Sequence, residues 1–148
     1  VRAILAAEVI ILGPGSLFTS ILPNLLIEGI TQSIRSSRAV KIYVCNVATQ
    51  HGETDGFNVS DHIRVINDHV GEGLIDIILM NNYFPPLAPG TNYGYVQPSR
   101  NGSSMSLPVY HANLIDPQNP WRHNSEKLAQ SIMNLIHNPA EARVEIPA

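Results

Sequence analysis

Glu8-Val9-Ile10-Ile11-Leu12-Gly13-Pro14-Gly15-Ser16-Leu17-Phe18-Thr19-Ser20 is a bare apolar run that passes straight into a glycine-hinged turn carrying hydroxyls. An unbroken apolar stretch this short reads as a strand covered on both faces, the kind found in parallel sheets. Gly13 and Gly15 lack a Cβ, so they can take positive φ and let a ligand approach the main chain, while Pro14 stiffens the turn between them. A helix beginning near Ser16 would leave its first amides unpaired and aimed outward with the positive end of its dipole, which favours a phosphate or carboxylate. Gly13, Pro14, Gly15, Ser16 and Thr19 are therefore candidate phosphate-binding residues, with Ser20 as a further hydroxyl. The same residues also describe a Ser-capped strand-to-helix turn with no ligand. The turn is neither the six-residue dinucleotide fingerprint nor the lysine-containing P-loop.

Working outward, short β-rich runs alternate with helical periods. Val9–Leu12, Val40–Cys45, Ile75–Met80 and Val109–Leu114 are the candidate strands. Between them, Leu17–Leu26 and Glu28–Ser36 read as one helix broken by Pro23 and Gly29. Val59, Ile63, Ile66 and Val70 recur at helical spacing, and Asn58 with Asp61 resembles a capping box. Leu128, Ile132, Leu135 and Ile136 repeat the period, with Asn124 or Ser125 as cap and Glu126 in the first turn. Arg2–Ala7 reads as the last turns of a helix that feeds the first strand. This order predicts an α/β fold: a Rossmann-like, doubly wound, mostly parallel sheet with right-handed crossovers and flanking helices. Ligands of such sheets sit beyond the carboxyl ends of the strands.

That rule directs attention to the loops. Asn46 to Gly56, after the second strand, is dense in polar side chains. Asn46, Thr49 and Gln50 suit a base, ribose or sugar, and Glu53 and Asp55 can accept from sugar hydroxyls or hold Mg2+ through water. A solvated turn is the plainer alternative. Tyr83–Ser104, with four prolines and three glycines, is expected to be a flexible excursion, either a lid or a disordered insertion. Trp121 precedes Arg122, His123 and Asn124 at the mouth of the last helix, where Arg122 could clamp a diphosphate bidentately or simply face solvent.

Bulk properties narrow the classes. The chain has 148 residues, 44% of them apolar, enough for one core, so one nucleotide-binding α/β domain over 1–148 is expected. A net charge of −3 with scattered basic residues argues against a nucleic-acid partner. The lone Cys45 allows no internal disulfide, and no run approaches the roughly 18 apolar residues that span a bilayer. A cytoplasmic protein without membrane insertion is the expectation. The chain opens on Val1 and is read as part of a longer protein.

Gly13-Pro14-Gly15-Ser16-Leu17-Phe18-Thr19-Ser20-Ile21-Leu22-Pro23-Asn24-Leu25-Leu26, together with Tyr43 to Phe57, Val59 to His62 and Arg122-His123, resembles the YvcK-like gluconeogenesis factor family of the CofD-like superfamily. The likeness covers nearly all the chain outside Tyr83–Ser104. It implies a nucleotide-binding Rossmann-like protein that takes UDP-sugars such as UDP-N-acetylglucosamine, linked to growth on gluconeogenic carbon sources and to cell-wall morphogenesis, with no established catalysis. The alternative it implies is a transferase of the 2-phospho-L-lactate transferase type, moving a phospholactyl group from a nucleotide diphosphate carrier to a deazaflavin precursor with magnesium. By position, Gly13 to Ser16 become the phosphate loop, and Asn46, Thr49, Gln50, Glu53, Thr54, Asp55 and Arg122 line the ligand. The chain departs from the family pattern at Ala48, His51 and Asn124, where Met, Pro and Asp are commoner. It lacks the family's glycine-rich opening loop, which implies the C-terminal half. The shortness of the sheet leaves a homo-oligomer open.

Other chemistries find less support. A Ser-His-Asp hydrolase needs a Gly-x-Ser-x-Gly elbow, which the sequence lacks. His62 and His69 stand about 10 Å apart along a helix, too far to share a metal ion, so no metal ligands are assigned. Cys45 lies in an apolar strand and reads as core rather than nucleophile. NAD-linked redox chemistry has only fold analogy behind it.

Overall fold

The computed structural model describes residues 1–99 and 106–144. Its elements run α1 (Arg2–Ala6), β1 (Val9–Leu12), a π-helical turn (Leu17–Ile21), α2 (Leu22–Leu25), α3 (Ile30–Ser36), β2 (Val40–Val44), α4 (Val59–Val70), β3 (Ile77–Asn81), β4 (Pro108–Ala112), α5 (Ser125–His137), a 3-10 turn (Pro139–Glu141) and β5 (Arg143–Val144). The strands lie side by side in the order β1-β2-β3-β4-β5. The first four are parallel, with Val9 beside Val40, Ile42 beside Ile77 and Ile78 beside Val109, whereas β5 runs antiparallel to β4. The chain is thus the mostly parallel α/β protein its alternating runs predict.

Helices cover both faces of the sheet. Successive residues of a strand point to opposite sides, so each central strand supplies two cores. Tyr43, Cys45, Ile78 and Met80 pack with Leu22, Leu25, Ile34, Ile63 and Ile66 from α2, α3 and α4. Ile42, Val44, Ile77 and Leu79 face the other way, onto Leu135, Leu128 and Ile132 of α5 and onto Tyr95. Burial on both sides is why these strands read as unbroken apolar runs rather than as alternation.

The local signals hold where their chemistry is local. Asn58 and Asp61 form the reciprocal capping box at the start of α4. Asn124, not Ser125, caps α5 by accepting from the Lys127 amide. Between β1 and β2 the break falls where the two expected pieces meet, between Leu25 and Ile30, but Pro23 does not cause it. Pro23 sits in the first turn of α2, where its missing N–H costs nothing, and the interruption comes at Gly29, whose φ of +82° starts α3.

Arg35 ties the two helices of this layer together. Its guanidinium donates to the carbonyls of Val70 (2.6 Å), Gly71 (2.8 Å) and Glu72 (2.6 Å), closing the carboxyl end of α4. A cation on the negative end of a helix that also satisfies orphan carbonyls is favourable. Since the side chain is solvent-exposed, Arg35→Ala is expected to lower stability by about 1–2 kcal/mol. A urea midpoint equal to that of the wild type would contradict this role.

Of the segment Tyr83–Ser104, residues 100–104 lie outside the described residues. Its preceding part is held against the loop after β2: Ala48 pairs with Tyr95, the Thr49 amide donates to Gly94 (2.8 Å) and Val96 donates to Val47 (3.1 Å). Tyr95 and Val96 are buried. No helix among the described residues is long and apolar enough to cross a membrane.

Candidate functional site

Loops that leave the carboxyl ends of all four parallel strands line an open cavity of about 1030 Å³. The turn after β1 contributes Pro14, Gly15 and Ser16, and the loop after β2 contributes Asn46 to His51 and Glu53. The segment following β4 contributes Trp121, Arg122 and His123, joined by Ser125 and Leu128 at the start of α5 and by Asn92 and Tyr93 from the long excursion. This is the position at which open α/β sheets bind ligands.

Local geometry explains how each part is held. Gly13 adopts φ +95°, and a Cβ there would stand 3.1 Å from the carbonyl oxygen of Val44, so the turn hugs the end of β2. Gly15 has ordinary φ, but a Cβ would meet that of Ser20 at 3.1 Å. The following turn is π-helical, with both Ser20 and Ile21 amides donating to the Ser16 carbonyl. Helix geometry leaves the amides before Ser20 without intrahelical partners. Ser16 Oγ donates to Glu53 Oε2 (2.7 Å), which bridges the first loop to the second.

Arg122 sits on a closed turn. The Asp116 amide donates to the Arg122 carbonyl (3.0 Å), the Arg122 amide donates to Asn119 (2.8 Å), and Asp116 Oδ1 accepts from the amides of Gln118 and Asn119. The guanidinium is exposed and makes no ion pair or hydrogen bond among the described residues. Within the cavity lining it is the one guanidinium and Glu53 the one carboxylate among the described residues.

The structure brings Pro14, Gly15, Ser16, Asn46, Thr49, Gln50, Glu53 and Arg122 to this cavity and places Gly13, Thr19, Thr54 and Asp55 outside its lining. Thr54 is fully buried, and its hydroxyl accepts from the Gln50 amide (2.8 Å). Asp55 accepts from the Gly52 amide (2.7 Å) and meets His51 Nδ1 at 3.2 Å. Those two bonds, the Gly52 amide above all, hold its carboxyl below the usual carboxylate range. Both residues shape the loop rather than face the cavity. Thr49 does both, since its hydroxyl donates to the Gly94 carbonyl and accepts from the Gly94 amide while its side chain borders the cavity.

Tyr93, Trp121 and His123 join the lining without being among the ligand-lining residues expected from the sequence. Trp121 and His123 carry a local signal, their places on either side of Arg122 before the α5 cap, and Tyr93 carries none. Its Nε2–H donates to the Cys45 carbonyl (3.2 Å), and burial pushes its pKa down, a shift the Cys45 carbonyl opposes. Burial likewise pushes the Cys45 thiol up to about 12, so it stays protonated and is a core group rather than a nucleophile.

His62 is buried as well. Its Nδ1–H donates to the Asn58 carbonyl (2.9 Å), and Phe57 packs against it at a centroid distance of 5.6 Å. Burial lowers its pKa, opposed by the Asn58 carbonyl and by Asp61. Both imidazoles are therefore neutral in the folded chain at a pH where the unfolded chain already takes up protons, below about 6.5. Their contribution to stability is complete above that pH and is lost as pH falls toward their depressed folded values. Urea midpoints are expected to drop between pH 7 and pH 5; a flat profile would refute it.

The chain's sequence and fold both match known proteins. Residues 1–138 match the family model described as 2-phospho-L-lactate transferase CofD. A gluconeogenesis factor of Listeria innocua is 38% identical over 142 residues, covering 93% of this chain and 44% of that protein. A gluconeogenesis factor of Halalkalibacterium halodurans is 56% identical over 80 residues, covering 54% of this chain and 25% of that protein. A crystal structure of a UPF0052 family member from Bacillus halodurans superposes with a TM-score of 0.78 at 38% identity, over 89% of this chain and 44% of that one. The chain thus spans less than half the length of these relatives. Because the family match runs through all four parallel strands and every loop of the cavity, the chain belongs to the CofD family, on its YvcK-like gluconeogenesis factor side.

Proposed function

We propose that the cavity binds a nucleotide diphosphate sugar of the UDP-sugar type, and that the protein is a regulatory factor of cytoplasmic carbon metabolism linked to cell-wall morphogenesis. The observation that carries this reading is the convergence of the Gly15–Ser16 turn and of Arg122, unpaired among the described residues, on one cavity that also holds the amides of Asn46 and Gln50. Unpartnered amides at a helix start and a free guanidinium suit a diphosphate. Side-chain amides and hydroxyls suit base edges and sugar hydroxyls. The volume of about 1030 Å³ lies just above the range of ordinary small-molecule sites, roughly 300–1,000 Å³, and leaves room for a nucleotide sugar. Glu53, placed on Ser16, suits a sugar hydroxyl, or a magnesium ion carried by the diphosphate. Among the described residues no three His, Cys, Asp or Glu side chains gather to hold a metal by themselves, so such an ion would depend on phosphate oxygens.

The second reading, a CofD-type transferase acting on a nucleotide diphosphate-linked substrate, is favoured by the description of the matching family. Calorimetric titration of the intact protein with UDP-N-acetylglucosamine, followed by chromatography for released nucleotide of mixtures with and without a deazaflavin-type acceptor, separates the two. Saturable binding without turnover supports the regulatory reading. Nucleotide release in the presence of an acceptor supports the transferase, and absence of binding removes the UDP-sugar assignment.

A further inference from the structure

Trp121 and Tyr93 are the aromatic part of the cavity lining, and their rings meet edge to face, centroids 6.1 Å apart at 62°. Tyr93 meets Tyr95 at 6.3 Å and 77°, and Tyr95 meets Phe84 at 5.9 Å. A file of rings thus runs from the buried α5 side of the sheet, where Tyr95 packs, out to the cavity. Its inner end cannot drift, because Gly94, between the two tyrosines, is bonded to Thr49 through both its amide and its carbonyl. The outer end is different. Trp121 stands on the closed Asp116–Arg122 turn yet is 49% exposed.

An indole carried on a closed backbone turn and left half open offers a flat, polarisable face to water, which an aromatic ligand covering it would bury. Its sequence neighbour is Arg122, the guanidinium suited to a diphosphate, so the group that falls on the indole is carried by the same molecule. Of the parts of a nucleotide sugar only the base is an aromatic ring with a π-face to stack. We propose that Trp121 is the stacking platform for the nucleobase, with Tyr93 bracing its edge. The proposal rests on the nucleotide diphosphate reading of the cavity and adds a base subsite to it.

The experiment uses the intact protein in wild-type, Trp121→Phe and Trp121→Leu forms, titrated with UDP, UDP-N-acetylglucosamine and inorganic pyrophosphate by calorimetry and by tryptophan emission. UDP is expected to change the emission saturably in the wild type, and the part of that change contributed by Trp121 should be lost in Trp121→Phe, which keeps an aromatic face and binds UDP within about threefold of wild type. Trp121→Leu should weaken UDP roughly five- to a hundredfold, the range for losing one base-to-ring stack, and leave pyrophosphate unchanged. Equal UDP affinity in Trp121→Leu would overturn the proposal. So would an equal loss for pyrophosphate, which would mean a damaged site, or a loss confined to the increment added by N-acetylglucosamine, which would place the sugar on the ring. A wild type that binds none of the nucleotides removes the cavity reading, and the base subsite with it.

Discussion

Gly13→Ala is expected to destabilise the protein by about 2–4 kcal/mol, a large fraction of the roughly 5–15 kcal/mol that holds a domain of this size together. Two effects act at once. A φ of +95° lies outside the left-handed basin that L-residues tolerate, and holding a side chain there costs on the order of 1–3 kcal/mol. The new methyl would also stand 3.1 Å from the Val44 carbonyl oxygen, a backbone atom of β2 that cannot swing aside as a side-chain end would. Gly56→Ala provides the control. Gly56 has φ +73°, but nothing lies within 4 Å of where its Cβ would be, so only the backbone preference is lost, at about 1 kcal/mol. In urea unfolding the difference between the two variants reads the close approach together with the extra backbone cost of φ +95° over +73°. Equal losses would mean that the turn after β1 does not depend on its contact with β2. Binding follows the same geometry, since displacing Gly13 shifts Gly15 and Ser16 relative to Asn46, and these line the cavity together.

The elements read most accurately from sequence are those whose limits are written locally. β1 is recognised at Val9–Leu12 because Gly13 ends it, and α4 at Val59–Val70 because the Asn58 and Asp61 box opens it and Gly71 closes it. β3 begins two residues after its apolar run does. Ile75 belongs to that run and is buried, yet pairing with β2 starts at Ile77. The last parallel strand stops at Ala112 rather than Leu114, because the Leu114 amide turns to the buried side-chain oxygen of Asn81 (3.1 Å). Nothing in the run Val109–Leu114 signals a partner 33 residues upstream. The candidate site divides in the same way. Polar residues in loops after strands lie near a ligand crevice as a class, so Ser16, Asn46, Gln50 and Arg122 were legible. Direction is a different matter, because Thr54 and Asp55 carry the same chemistry and spend it on the amides of Gln50 and Gly52. Tyr93 was illegible because its place depends on Gly94 meeting Thr49 across 45 residues of chain, through a segment without periodicity.

Arg122→Ala is expected to weaken binding of UDP-N-acetylglucosamine by roughly 10- to 100-fold while shifting stability by no more than about 0.5 kcal/mol. The two halves of this expectation have one cause. The guanidinium is exposed and engages no acid or carbonyl among the described residues, so the folded chain loses no bond when it goes. The turn beneath it is held by backbone groups and by Asp116, and the substitution leaves both in place. A bound diphosphate, by contrast, loses the only guanidinium in the lining among the described residues and is left facing Glu53, a like charge. Arg122→Lys sharpens the test. It keeps the charge but replaces a planar fork with a point donor, so it should recover part of the affinity, less than a screened surface attraction would predict. Raising the salt concentration should cost the wild type less affinity than it costs the lysine variant, because paired bidentate bonds are screened less than a loose ion pair. Calorimetry of the three proteins at two ionic strengths, beside urea unfolding of each, reads all of these quantities. Unchanged affinity in Arg122→Ala would place the diphosphate elsewhere, and loss of binding together with loss of folding would return Arg122 to a structural role.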